Sequence, residues 1–241
     1  MATSHGKSAT IFANGFNLST FLNSVTVTGT ADSAETSTFG TTSKSYIPGL
    51  LDGTMSLAGF YDGATNADID ILNNALGNAT ASIVTHFPQG DTFGNDGWGF
   101  SAFDTSLAID TNLGGAAAIG SDLQSSVGAE LLYSLHALGA ETAASNSISV
   151  DNAASSALGG VGYLHVTAFS GTNIVIKVQH STDDSAWVDL ITFTTVTAVN
   201  AKERVRTAAL TTTVNRYTRT IWTGTFTSVT FVVGFGRNPR A

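Results

Sequence analysis

Tyr163-Leu-His-Val-Thr-Ala-Phe169, Asn173-Ile-Val-Ile-Lys-Val-Gln-His180 and Trp187-Val-Asp-Leu-Ile-Thr-Phe-Thr194 follow one another closely, and Val205–Leu210, Asn215–Thr223 and Ser228–Phe235 continue the series. Each run is rich in β-branched and aromatic residues, which fit a pleated, half-buried surface. Short runs of this kind separated by turn residues are the rhythm of an all-β sandwich. Gly171-Thr172 is expected to join the first two runs as a tight hairpin, and Ser181-Thr-Asp-Asp-Ser185 the next two, with Asx side chains closing the turn.

The strand signal continues upstream. Thr10–Phe16 is a short β-branched and aromatic run, Val25-Thr-Val-Thr28 alternates apolar and polar, and Gly53-Thr-Met-Ser-Leu-Ala-Gly-Phe-Tyr61 alternates again. Ala81–Phe87, Trp98–Phe103, Gly114–Val127 and Ala129–Leu138 read as further strands, although Ala, Glu and Leu give the last of these helical propensity. Only Ala64–Leu76 reads as a helix: Ile69, Leu72, Ala75 and Leu76 form one stripe, Asp68 and Asp70 sit near the positive end, and Gly77 stands at the C′ position. Residues 29–48 are rich in Ser, Thr and Gly without a clean period and are expected as a long loop, functional or ordered by a partner. Residues 146–160, a run of Ala, Ser, Asn and Gly, read as a linker. The expected organisation is therefore a β domain over 1–145, a linker over 146–160 and a β-sandwich over 161–241.

Composition narrows the function. Of 241 residues, Ser and Thr supply 60, while only 12% are charged and the net charge is −8. Coiled coils, collagen and long charged helices are excluded by that mixture. The charge is divided unevenly: residues 1–150 hold thirteen acids against Lys7 and Lys44, a net of −11, and residues 151–241 have a net of +3. Such a split points to two regions facing different surroundings. So few charges in a large β protein suggest that much of the surface is covered by other copies of the chain. There is no Cys, hence no disulfide, thiolate site or thiol nucleophile. The opening residues lack an apolar signal core and no run reaches membrane-helix length, so folding in a cytosol is expected.

Searches for chemistry return structural readings. His5, His86, His136, His165 and His180 include no local metal pair, and His86, His136 and His165 are expected as strand-face residues. No G-x-S-x-G elbow supports a serine hydrolase. Gly159-Gly-Val-Gly162 leads into a strand, so no helix end would face a phosphate. Asp91–Gly97 lacks EF-hand spacing and reads as an Asx-rich turn. Trp187 and Trp222 alternate with Val, Leu and Ile and are expected in the core. Lys202, Arg204, Arg206, Arg216 and Arg219 form the basic cluster, read as a solvated face or a partner for an acidic neighbour. No enzyme and no cofactor is expected.

Two stretches carry a family resemblance. Phe39-Gly-Thr-Thr-Ser-Lys-Ser-Tyr-Ile-Pro-Gly-Leu-Leu-Asp-Gly-Thr-Met-Ser-Leu-Ala-Gly-Phe-Tyr-Asp-Gly63, followed by a short amphipathic helix, resembles the major tail tube proteins of long-tailed bacteriophages. Val178–Trp187 and Asn215–Arg237 are similar to C-terminal regions of phage structural proteins. The resemblance implies a mainly β fold, a tail-tube-type β-sandwich or barrel subunit with one flanking helix, plus a C-terminal all-β sandwich on the tube exterior. It implies hexameric rings stacked into a hollow tube in the virion, assembled in the host bacterial cytoplasm. The implied partners are further copies, tape measure, tail terminator and distal tail proteins, and passing DNA that is not held; no membrane insertion is implied. On this reading Asp32, Glu35, Phe39, Lys44 and Tyr46 reach the neighbouring ring. Asp52, Asp104, Asp110, Asp122 and Glu130 give an acidic lumen, and the basic cluster faces outward. The other reading is a capsid decoration protein or tail-tip adhesin with a glycan-binding β domain.

Overall fold

The computed structural model describes residues 5–237. The fold is mainly β with one helix. In chain order the elements are β1 (Thr10–Ala13), β2 (Phe16–Asn17), β3 (Leu22–Glu35), β4 (Tyr46–Phe60), α1 (Asp68–Ala75), β5 (Ser82–Phe87), β6 (Asp96–Asp110), β7 (Ala118–Ser125) and β8 (Glu130–Glu141). They continue with β9 (Ser145–Asn146), β10 (Val150–Asp151), β11 (Gly160–Ser181), β12 (Val188–Thr192), β13 (Lys202–Arg206) and β14 (Tyr217–Arg237), all joined in one antiparallel sheet.

One ladder organises the C-terminal half. β11 and β14 pair from Gly160–Arg237 to Ser181–Tyr217, so each is one long strand where the sequence suggested two. Gly171 and Thr172 lie inside β11 and make no hairpin. The misreading has a physical cause: register shifts at Ser170–Asn173 break the alternation without ending the pairing. The ladder also folds over at this point. Nine residues of straight strand span roughly 30 Å, yet the rings of Trp222 and Phe231 are 5.5 Å apart. Glycine is required at the fold, because a Cβ on Gly224 would lie 2.3 Å from the Asn173 carbonyl oxygen and one on Gly171 2.4 Å from the Phe226 Cα. The two halves thereby face each other across a core of Ile174, Ile176, Trp222, Phe231, Phe235 and Phe193.

The segment expected as a linker is not free. Ser145 and Asn146 pair with Trp222 and Ile221, and Val150 with Thr218, along the edge of β14 opposite β11. Farther along, the same edge carries β8, through Glu141–Val229 to Tyr133–Phe235. Backbone pairing on both sides holds β8 as a strand despite its helical propensity. The sheet therefore continues across the expected domain boundary.

The N-terminal half packs a second core, with Ile11, Met55, Leu57, Leu72, Phe100 and Leu123 among its members. Helix α1 covers this core over Asp68–Ala75, shorter than 64–76, and Gly77 takes φ +67 at the expected C′ position. Its buried residues are Asp68, Ile71, Leu72 and Ala75, a stripe rotated from the expected one, and Leu76 is 40% exposed. The rotation follows from Asp68, whose carboxylate accepts the backbone N–H groups of Asp62 and Ile69 and so ties the preceding loop down. Only half of residues 29–48 is a loop: 29–35 and 46–48 extend β3 and β4, which pair out to Glu35–Tyr46 and leave residues 36–45 as the turn. Both faces of that extension are wet, so it carries no hydrophobic alternation.

Candidate assembly surface

Strands β3, β4, β7 and the second half of β6 form a four-stranded sheet with two unlike faces. Met55, Leu57, Ile119 and Leu123 point into the core, and period 2 sends their neighbours outward. The outward side chains align in rows across the sheet. Thr26, Ser56, Asp122 and Ser106 make one row, and Ser24, Ala58, Gly120 and Ala108 the next. These two rows are small and partly hydroxyl-bearing, and exposed Phe103, beside Gln124, and Phe60, beside Ala118, stand in the rows on either side of them.

The charges on this face share one sign. No Lys or Arg occurs in β3, β4, β6 or β7. Asp122, at the centre, accepts hydrogen bonds from Ser56 Oγ at 2.6 Å and Ser106 Oγ at 2.8 Å, which hold its carboxyl below the usual range and keep it ionised. Asp52 accepts from the Gln124 side chain, and Asp110 stands exposed at the end of β6. Three of the five expected lumen acids therefore meet on one surface.

The other two are interior groups. Asp104 is buried and bonded by Ser82 and Ser121, and burial raises its pKa. Glu130 is 2% exposed, and its carboxylate receives Arg204 Nη2 at 2.7 Å, Arg204 Nε at 2.8 Å and the Tyr163 hydroxyl at 2.5 Å. Burial and the Glu130 charge push the Tyr163 hydroxyl well above its ordinary pKa. Neither Asp104 nor Glu130 can present charge to a lumen, and Arg204 does not face outward. An acid and a base expected on opposite surfaces instead neutralise each other inside the fold.

The rest of the basic cluster is dispersed. Lys202 and Arg206 lie on β13, beside the first half of β11, whereas Arg216 and Arg219 belong to the other end of the ladder. Arg216 pairs with Asp151 at 2.6 Å, and bonds from Arg216 lower the Asp151 carboxyl to about 2. The Arg219 guanidinium lies 4.1 Å from the Trp187 ring centre and bonds Gln179. Trp187 is thus half-buried at the surface, unlike the expected core residue, while Trp222 is buried as expected.

Two edges of the four-stranded sheet are open. Among the described residues β3 pairs with β4 alone, and β6 beyond Ala102 pairs with β7 apart from a single bridge between Asp104 and Leu76. From the same sheet the outer parts of β3 and β4 project as an arm. The arm exposes Phe39 fully, Leu50 to 80%, Tyr46 to 55% and Ile47 to 54%. Glu35 and Lys44 pair at its neck at 2.9 Å, and Asp32 is exposed on β3. Unpaired backbone edges and exposed large apolar side chains are features that soluble monomers normally suppress.

Among the described residues no three His, Asp or Glu groups are arranged to hold a metal ion. His86, His136 and His165 are buried strand residues; burial lowers the pKa of each, and that of His165 falls to about 3. No helix among the described residues is long and apolar enough to cross a membrane.

No protein family and no curated protein matches the sequence. Several solved structures are similar in strand layout. One is a chain of the virion of a native gene transfer agent particle, with 13% identity and a TM-score of 0.44, covering 54% of this chain and 98% of that one. Another is SPP1 Dit, described as a paradigm of the hub adsorption apparatus in phages infecting Gram-positive hosts. It has 12% identity and a TM-score of 0.40, covering 95% of this chain and 98% of the other. A third is the sheath/tube terminator of an extracellular contractile injection system, at 16% identity and TM-score 0.45 over 54% of this chain and 97% of that one.

Proposed function

We propose that this chain is a non-enzymatic structural subunit of a phage-type tail, and that its four-stranded sheets join edge to edge into rings that stack as a hollow tube. The observation that carries the reading is the β3–β4–β7–β6 sheet, which combines two open edges with an outward face free of bases. Pairing the β3 edge of one copy with the β6 edge of the next removes both edges, as closure does in any barrel. Six copies give 24 strands; the usual strand spacing and barrel tilt then set a backbone diameter of roughly 45–50 Å, wide enough to pass a DNA duplex surrounded by water. Turned inward, this face offers DNA no cation, and Asp52, Asp110 and Asp122 repel phosphate so that DNA slides without being retained.

The C-terminal ladder then lies outside the barrel, and other tail proteins (a tape measure within, a terminator and a distal tail protein at the ends) complete the particle in the virion. Negative-stain microscopy of the purified chain tests the proposal. Hollow tubes or rings of the stated width are expected; failure to form either at any salt or protein concentration would sink it.

A further inference from the structure

A groove of about 670 Å³ lies at the opposite end of β3 from the arm. That volume is within the ~300–1,000 Å³ typical of clefts that accept whole ligands. Its lining is mixed: Ile11, Leu22, Val25 and Pro88 supply apolar surface, and Lys7, Ser24 and the buried His86 stand among them. Lys7 has a particular status: apart from Lys44, which is bound to Glu35 on the arm, it is the only base in the first 150 residues. The arm offers the complement, a fully exposed Phe39 at the tip and Asp32 without a salt-bridge partner among the described residues.

We infer that this groove is the socket for the arm tip of a second copy, with Phe39 inserted among Ile11, Leu22, Val25 and Pro88 and Lys7 facing Asp32. The inference rests on the tube reading and adds to it the surface that receives the arm. Groove and arm lie at opposite ends of one strand: Val25 to Glu35 is ten residues, roughly 35 Å of extended chain. A contact between unlike patches at the two ends of a subunit is heterologous, and where its rotation does not close into a ring it repeats along an axis. A large aromatic side chain entering a pocket with apolar surface is also the usual form of an energetic anchor.

The absence of cysteine supplies a direct test. In assembled tubes of the Thr38→Cys, Ser24→Cys double variant, mild oxidation should give a ladder of covalent multimers on a non-reducing gel, because each copy offers one tip and one socket. Each single variant should give no ladder. Phe39→Ser should raise the protein concentration needed for assembly roughly ten- to a hundredfold. Lys7→Glu should raise it by up to about fivefold, with recovery in the Lys7→Glu, Asp32→Lys double variant. Tubes of normal appearance that yield no ladder, and whose assembly is indifferent to Phe39 and Lys7, would overturn the socket while leaving the tube intact. Absence of tubes in the unmodified protein would overturn the tube reading and the socket together.

Discussion

Acid should destabilise this protein by an amount that His165 makes calculable. The side chain is completely buried between β1 and β14, on β11; its Nδ1 accepts the Gly15 N–H at 3.2 Å, and its Nε2 has no partner. Burial first, and the charge of nearby Lys202 second, lower its pKa to about 3. In the unfolded chain the imidazole protonates near pH 6.5. Between those values the unfolded state binds the extra proton, so the contribution of His165 is complete above pH 6.5 and is lost as pH falls toward 3. Two pH units, from 6.5 to 4.5, remove about 2.3 kcal/mol. His86, His136 and His180 are shifted in the same direction and add to the loss, while Asp104, shifted upward, opposes it. Urea titrations at pH 7, 6, 5 and 4.5 measure the slope in the parent and in His165→Leu. The variant loses the bond to Gly15 and starts lower, so slopes and not levels are compared, and its slope should be shallower by about one proton. Parallel curves would refute the assignment of a neutral, proton-excluding His165.

Arg204→Met leaves Glu130 buried without its cation and should cost about 3–5 kcal/mol. At about 2–4 °C per kcal/mol for a chain of this size, the melting temperature should fall by roughly 6–20 °C in a thermal scan, with part of the loss recovered when Glu130→Gln is added. Gly224→Ala forces a methyl against the Asn173 carbonyl and should destabilise more than the same change at Gly6, which has nothing within 4 Å; denaturation midpoints make the comparison. Converting Asp52, Asp110 and Asp122 together to Lys should leave the core untouched but create DNA retention that weakens steeply with salt. Mobility shifts at two salt concentrations read this out, and lack of any retention would detach that face from a DNA path.

What the sequence revealed depended on the range of the forces involved. Val25–Thr28 and Gly53–Tyr61 were legible because one face is wet and the other dry, which writes period 2 into neighbouring residues. The strands of the arm have a loop-like sequence because both of their faces are wet, and only the exposed Ile47, Leu50 and Leu51 mark them as something else. Bulges hid the continuity of β11 and β14, since one extra residue flips every later side chain to the other face. Glu130 and Arg204 are separated by 74 positions, and charge counting placed them in different regions when the fold places them in contact. Asp52, Asp110 and Asp122 came together because they occupy outward positions on neighbouring strands, a matter of register that composition alone does not contain.

The place of β14 in the sheet bears on how the protein is made. Among the described residues it is the last strand in sequence and among the most central in space, bonded by β11 on one side and by β8, β9 and β10 on the other. A ribosome delivers it after every partner, so a nascent chain carries unsatisfied edges on β8 and β11 until residue 237 has emerged. Folding of the C-terminal half therefore waits for β14, is slow to nucleate because its pairings span long stretches of chain, and is vulnerable to aggregation in that interval. Chains that stop before β14 should accumulate as insoluble material, which a solubility assay reads directly.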